Sequence, residues 1–337
     1  MNFKKIKEVL GDEPKFRLKQ AKKLLCVDLI DDWSEASVFS VPLREKLNKE
    51  VPLINEGEVF LAKDNKTVKV LLTLEDGLKI ETVLIRYKER NTVCVSSQVG
   101  CPLGCHFCAT GKMGFKRNLK YYEIVNQVIF IAKFLKNNED FNPRISNIVF
   151  MGMGEPFLNY NEVMKAIDIL NDKDAFNIGA RKISISTVGI VEGINKLAKA
   201  DIQVNLAISL HNTTNDDREK LMPVNAKYPL KDIFKAVDSY IENTNRKVMF
   251  EYIMIDGVND SVEKANELVK LMENKLYVVN LISYNPTGIF NPSRKERIKE
   301  FRSILENKGI SVTERISFGE EINAACGQLL AKDNDDK

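Results

Sequence analysis

Thr92-Val-Cys94-Val-Ser-Ser-Gln-Val-Gly-Cys101-Pro-Leu-Gly-Cys105-His-Phe-Cys108 carries a β-branched run directly into three cysteines spaced C-x3-C-x2-C. A strand is predicted over Thr92–Ser97, so the cysteines fall in the loop that follows its C-terminal end. Thiolates are the usual ligands of iron–sulfur clusters. Three of them on a four-iron cluster leave one iron open to a substrate or a second cofactor. Zinc is the competing reading, but structural zinc takes four ligands, commonly as two separated pairs. No second C-x2-C pair occurs in the chain, and His106 lies so close to Cys105 that a tight fold would be needed for both to reach one ion. Phe107 offers the loop an apolar cover against water and oxygen.

The β-branched signal then recurs. Strands are predicted over Asn147–Met151, Lys182–Thr187, Gln203–Ser209, Lys247–Ile255, Tyr277–Ser283 and Ile310–Ile316. Between them lie helical patterns at Tyr121–Phe134, Tyr160–Leu170, Val191–Ala200, Leu230–Asn243, Ser261–Asn274 and Ser293–Asn307. Strand–helix alternation of this length, in six or seven units, predicts an α/β fold, a parallel sheet with helices outside, closing into a complete β/α barrel or a partial (β/α)6 one. In such folds reactive groups gather on loops after the strand ends, which is where the cysteine loop lies.

The chain before this rhythm differs. Stretches 13–26 and 41–51 mix apolar and basic positions as short amphipathic helices do, with Pro42 near the start of the second and Pro52 directly after it. Thr67–Thr73 and Lys79–Tyr87 read as strands flanking the hairpin turn Glu75-Asp76-Gly77. The expected organisation is a helical accessory module over 1–65, a β-hairpin region over 66–90, the barrel with a C-terminal cysteine loop over 91–330, and an acidic tail over 331–337.

Composition sets the bounds. With 337 residues, 44% hydrophobic and 29% charged, the chain reads as an ordinary globular protein with room for a large core. A net charge of +3 permits nucleic-acid binding without indicating it. Six cysteines in a chain this long do not make a secreted disulfide scaffold, and the N-terminus lacks an apolar signal core. No run of about eighteen apolar residues exists to span a membrane. The expectation is a cytoplasmic protein with no membrane partner.

Several other predicted strand ends carry polar groups. Met151-Gly-Met-Gly154-Glu155-Pro156 combines close backbone approach with a carboxylate that could accept from an amine. A tight turn with Glu155 favoured at a helix start explains it equally well. Ser184-Ile-Ser186-Thr187, Ser209-Leu210-His211 and Ser283-Tyr-Asn285-Pro286 close three further strands. Each alone is better read as loop capping, and their coincidence at one barrel mouth favours a site. Cys94, taken alone, is a small buried hydrophobe. Cys326, beside Gly327 in a loop-like stretch, suits an accessible nucleophile. Cys26 is read as structural.

These motifs together resemble the RlmN/Cfr family of radical S-adenosylmethionine (SAM) RNA adenine methyltransferases. The likeness rests on the cysteine loop, Cys94 to Cys101, Gly114-Phe-Lys-Arg-Asn-Leu119, Gly152 to Pro156, Ser209 to His211, Asn285-Pro286 and Ala325-Cys-Gly-Gln-Leu329. It runs from about Lys79 to Leu330. The resemblance implies that Cys101, Cys105 and Cys108 hold a [4Fe-4S] cluster whose open iron binds SAM and splits it to a 5′-deoxyadenosyl radical. It implies SAM contacts from Gly154, Glu155, Ser186, Ser209, Leu210, His211 and Asn285. Cys326 would take a methyl group and, after hydrogen abstraction, join the adenine. Cys94 would release that adduct through a transient disulfide with Cys326. Glu81 falls where the family places its proton acceptor.

The implied substrate is an adenine of 23S rRNA, with tRNA as a further candidate. The implied partner is an electron donor such as flavodoxin or ferredoxin, and a monomer is expected. Pro156, Val99 and Gly114-Phe-Lys-Arg117 lean towards the carbon-2 members. Arg181 to Thr187, Leu221-Met-Pro223 and Tyr252-Ile-Met254 lean towards the carbon-8 branch. A non-catalytic RNA-binding protein with a metal-stabilised loop is the alternative of a different class, and it would need neither Cys94 nor Cys326. Lys112, Lys116, Arg117, Lys120, Arg181, Lys182 and, in the first module, Lys15, Arg17, Lys19, Lys22 and Lys23 are the candidate RNA contacts.

Overall fold

The computed structural model describes residues 2–330 apart from 12, 54, 55, 139 and 140; the acidic tail read over 331–337 lies outside them. The chain begins with helices α1 (Phe3–Val9), α2 (Phe16–Lys23) and α3 (Val41–Glu50), then strands β1 (Gly57–Leu61), β2 (Thr67–Thr73), β3 (Lys79–Tyr87) and β4 (Arg90–Cys94). There follow β5 (Gln98–Gly100), α4 (Ala109–Lys112), β6 (Phe115–Asn118), α5 (Tyr121–Lys136), β7 (Asn147–Phe150), α6 (Tyr160–Asn171), β8 (Ile183–Thr187), α7 (Val191–Leu197) and β9 (Asn205–Ser209). The chain continues with α8 (Asn215–Leu221), α9 (Leu230–Thr244), β10 (Val248–Met254), α10 (Val262–Leu271), β11 (Tyr277–Ser283), α11 (Lys295–Asn307) and β12 (Ser311–Arg315).

Ten strands form one sheet in the order β1-β2-β3-β4-β7-β8-β9-β10-β11-β12. The first four are antiparallel neighbours, and from β4 onward every pair is parallel. The parallel part is the expected barrel. Helices follow its strands because a parallel pair needs a long crossover, and they cover an apolar sheet whose strands read as near-continuous hydrophobic runs. The hairpin also stands as read, β2 pairing β3 from Thr67↔Ile85 to Thr73↔Lys79. Its turn closes with Gly77 at φ +79°.

The chain leaves the sheet at Cys94, three residues before the expected strand end. Ser96 explains this: its N–H donates to Gln127 Oε1 at 2.7 Å and its hydroxyl to Glu81 O at 2.6 Å. These bonds replace the ladder and steer the backbone towards the cysteine loop. There β5 and β6 form a separate two-stranded ribbon. Gly100 permits it. Its φ is +72°, and a Cβ there would stand 1.8 Å from Gly114 O.

Within 1–65 the helices surround a small apolar centre. Trp33 is fully buried, its indole N–H donating to Val51 O at 2.8 Å and its ring stacked 6.2 Å from Phe39. β1 also lies within this stretch and edges the main sheet.

Among the described residues β1 and β12 do not pair, so the sheet stays open. The segment after β12 returns across to the antiparallel strands. Phe318 packs on Tyr87 at 5.8 Å, and the Leu330 N–H donates to Glu81 Oε2 at 2.9 Å. This strap carries Cys326.

Candidate active site

The strand ends β7, β8 and β9, the cysteine loop and the strap enclose a cavity of about 140 Å³. Ligand sites usually hold ~300–1,000 Å³; here Cys326, Gly327 and Leu329 of the strap lie against it. Cys101, Cys105 and Cys108 line one side, Gly154, Glu155, Ser186, Ser209 and His211 the others. Eight of the ten cofactor and metal residues expected at the barrel mouth therefore share one space, and Leu210 and Asn285 do not line it.

Two of the three loop thiols, Cys101 and Cys105, are held away from ionisation. Cys105 is pushed well up by burial and then by Cys108 and Cys101, and burial takes Cys101 to about 12. Burial thus opposes thiolates at Cys101 and Cys105, and a cationic iron core is the kind of group that reverses this. His106 is no fourth ligand. It is exposed, with its Nδ1–H donating to Lys220 O at 2.7 Å. Among the described residues no three His, Cys, Asp or Glu side chains converge as ligands of a single ion, unlike a closed tetrahedral zinc site. Phe107 lies edge-on to the His211 ring at 4.9 Å, forming part of the apolar cover.

Glu155 serves both readings made of it. Its Oε1 accepts from Phe157 N–H at 3.0 Å, capping the short Pro156–Asn159 turn, and its Oε2 accepts from Val188 N–H at 2.9 Å. Burial nevertheless raises its pKa to about 7, against the pull of these donors. Gly154, at φ +96°, leaves no room for a side chain: a Cβ would lie 2.5 Å from Gln98 Cβ, and Gln98 Oε1 receives the Glu155 N–H. His211 is kept neutral, its pKa pulled to about 3 by burial and then by Arg218. Its Nδ1 accepts from Ile253 N–H at 3.2 Å, so the proton sits on Nε2.

Cys94 and Cys326 share a recess. Both line a second, smaller cavity of about 30 Å³, with Met151, Asn285 and Arg315. Burial takes the Cys94 thiol up to about 12, with Cys326 the next cause. Cys326 is solvent-exposed within its recess, and the protein around it raises its thiol while the Arg315 guanidinium draws it down. Both are free thiols, so the disulfide implied for this pair is not formed here. Asn285 faces this cavity rather than the larger one, its amide donating to Cys326 O at 3.0 Å. Leu210 lines neither cavity; it is buried, and its carbonyl accepts from Arg218 Nε at 3.0 Å.

Glu81 also lines neither cavity. It is 3% exposed, ion-paired with Lys69 at 2.8 Å and bonded to Leu330 N–H. Arg315 and Glu251 were missed from sequence. Arg315 closes β12, the same position that marked the other strand-end residues. Glu251 is the lone charge in the apolar strand Val248–Met254. Its Oε2 accepts from Asn280 at 2.8 Å, while Oε1 is buried without a partner. Asn285 Oδ1 is a second orphan. Two buried acceptors beside the cysteines fit a ligand rich in N–H and O–H donors, as SAM is.

The basic residues offered for RNA are partly used internally. Arg117 pairs with Asp76 at 2.7 Å and Glu123 at 2.8 Å. Lys19 and Lys22 each hold an aspartate, Asp174 and Asp172, at 3.0 Å, and Arg17 reaches Glu13 at 3.7 Å. Arg181 donates to Gln203. Lys15, Lys23, Lys116 and Lys120 remain exposed.

A model of the Radical SAM superfamily matches residues 95–272, more than half of the chain. Fold and cysteine site together define a radical SAM enzyme. A relative from Caldicellulosiruptor saccharolyticus, named "Probable dual-specificity RNA methyltransferase RlmN", is 47% identical over 332 residues, covering 98% of this chain and 94% of its own. A "Ribosomal RNA large subunit methyltransferase N" from Nitrosopumilus maritimus is 46% identical over 277 residues, 80% of this chain and 78% of its own. The crystal structure of a radical SAM methyltransferase from Sphaerobacter thermophilus superposes with a TM-score of 0.93 at 41% identity, covering 98% of both chains. The chain belongs to the RlmN family of radical SAM RNA methyltransferases, and it is a SAM-dependent methyltransferase.

Proposed function

We propose that this enzyme methylates carbon 2 of an adenine in 23S rRNA, and of tRNA as a second substrate, through a methylated Cys326. The observation that carries the reading is the meeting of Cys94 and Cys326 in one small cavity beside the three-cysteine loop. A non-catalytic RNA-binding protein has no use for that arrangement. The names of the relatives, ribosomal and dual-specificity RNA methyltransferases, support the substrate.

Cys101, Cys105 and Cys108 would hold the [4Fe-4S] cluster. Gly154, Glu155, Ser186, Ser209 and His211 would surround SAM, with Leu210 and Asn285 acting from behind through their backbone and strap contacts. Bound together, the two groups supply both the methyl group and the one-electron chemistry that activates it. An aromatic C–H on an amidine carbon is not nucleophilic, so ordinary methyl transfer cannot reach it, and the protein's task is to position and shield the reaction.

The residues of the chain then divide the work. Cys326 carries the methyl group, and Arg315 favours its thiolate form before methylation. Glu81 takes the proton displaced from the adenine, once the Leu330 N–H has released its carboxylate. Cys94 attacks the Cys326 sulfur of the protein–RNA adduct. An S–S bond forms and the S–C bond breaks, its electron pair staying on the carbon, which takes up a proton to become the new methyl group. External reduction returns the two free thiols. The exposed lysines beside the loop, Lys116 and Lys120, contact phosphate. The module over 1–65 contributes RNA contacts through Lys15 and Lys23. The enzyme works as a cytoplasmic monomer supplied with electrons by flavodoxin or ferredoxin.

Cys94→Ala tests the reading. The adduct forms and is not resolved, so denaturing gels of anaerobic reactions are expected to contain protein covalently bound to RNA. Absence of any adduct, with the cluster loaded and SAM consumed, would refute the assigned release step.

A further inference from the structure

Arg218, in α8, is 0% exposed. Its guanidinium is held entirely by neutral acceptors: Nε by Leu210 O at 3.0 Å, Nη1 by Asn225 Oδ1 at 2.8 Å, and Nη2 by Val188 O at 2.6 Å and Ser209 O at 3.0 Å. Among the described residues no carboxylate pairs with it. The neighbouring carboxylate Asp217 is turned to Lys220 and Lys264, each at 2.8 Å. A buried cation without an anion costs several kcal/mol, which hydrogen bonds alone do not offset. A fold retains such a charge where something else balances it.

The cysteine loop lies against the residues that hold the guanidinium. Val188 and Ser209, two of the residues that hold the guanidinium, line the cavity together with Cys105. The loop is fastened to the end of α8, one turn beyond Arg218: His106 N–H donates to Leu221 O at 2.9 Å and His106 Nδ1–H to Lys220 O.

We propose that Arg218 is the counter-charge of the iron–sulfur cluster, a positioning residue that raises the cluster's reduction potential and its retention. The inference rests on the cluster assigned to Cys101, Cys105 and Cys108. Three thiolates outweigh a doubly charged oxidised core by one negative charge, and reduction adds another. A fixed cation in a low-dielectric wall therefore stabilises the reduced state more than the oxidised one.

Holo-protein reconstituted anaerobically is analysed for iron and sulfide, then titrated with dithionite while the reduced cluster is followed by electron paramagnetic resonance. In Arg218→Met the reduced-to-oxidised ratio at fixed potential falls at least tenfold, which is 59 mV for a one-electron couple. Arg218→Lys keeps the charge but loses the four-acceptor fork; it holds the wild-type ratio within twofold while its melting temperature falls. A wild-type potential in Arg218→Met, or a shift in Arg218→Lys as large as that in Arg218→Met, overturns the inference. Should Arg218→Met fail to fold, Arg218→Lys decides alone, and a potential that falls along with its stability is the overturning result. Wild-type protein that binds no iron and sulfide refutes the cluster assignment itself, and the analysis preceding the titration separates that failure from the others.

Discussion

Cys326 and Cys94 lie 232 positions apart in the numbering yet line one small cavity. The strap that carries Cys326 makes this possible. Cys326→Ala is expected to abolish RNA methylation while leaving iron and sulfide content unchanged, with nucleoside analysis and metal analysis run on the same preparation. Glu155 makes the protein sensitive to pH. Its folded pKa, about 7, lies above the ordinary carboxylate value of 4.5. The folded state therefore binds this proton more tightly, so the contribution of Glu155 to stability is fully present below about pH 4.5 and is lost as pH rises through 7. The difference is worth roughly 3 kcal/mol. Urea midpoints of cluster-free protein at pH 5 and pH 8 are expected to record this fall, and Glu155→Gln to flatten it. Among residues, most of those at strand ends were legible because position marked them, though Arg315 at the end of β12 was passed over. Arg218 was not legible: a helix as charged as Asn-Asp-Asp-Arg-Glu-Lys-Leu gives no sign that one of its cations turns inward. Nor could sequence show that Arg117, Lys19 and Lys22 would be taken up by carboxylates distant in the chain or across a turn.

At the scale of elements, Glu81 joins β3 to the strap. Lys69 on β2 faces it across the ladder at Leu71↔Glu81, two residues along, and completes a buried pair. Removing Lys69 leaves a buried carboxylate uncompensated, a loss of roughly 3–5 kcal/mol. Lys69→Met is therefore expected to loosen the Leu330 contact, and amide hydrogen exchange should accelerate at 326–330 more than in β10 or β11. Unchanged exchange there would show that the strap is held elsewhere. Gly100→Ala is expected to cost about 1–3 kcal/mol from its left-handed backbone alone, with the close Gly114 carbonyl adding to it; thermal melts and cluster content check this. The hairpin and parallel strands were legible because apolar alternation and β-branched runs mark buried strands. β1 was not, since its side chains are largely exposed and carry no such pattern. The early exit of β4 was hidden because Ser96 and Gln127, which replace its ladder, are 31 residues apart.

The whole molecule is an open, mixed sheet whose antiparallel edge and C-terminal strap meet around the cysteine loop. That plan places the loop cysteines Cys101, Cys105 and Cys108, the thiols of Cys94 and Cys326 and the Glu155 carboxylate within one region while the helices stay outside. No helix among the described residues is long and apolar enough to cross a membrane. The fold class followed from strand–helix alternation, whereas the crossing of the strap back to β3 depended on contacts that no local pattern encodes. The central claim is the reaction, and one measurement addresses it most directly: anaerobic incubation of the reconstituted enzyme, SAM and a reductant with unmodified 23S rRNA, followed by nucleoside mass spectrometry against authentic standards. The account predicts 2-methyladenosine, present with the wild-type enzyme and absent with Cys326→Ala. 8-Methyladenosine in its place, or 2-methyladenosine formed undiminished by Cys326→Ala, would contradict it.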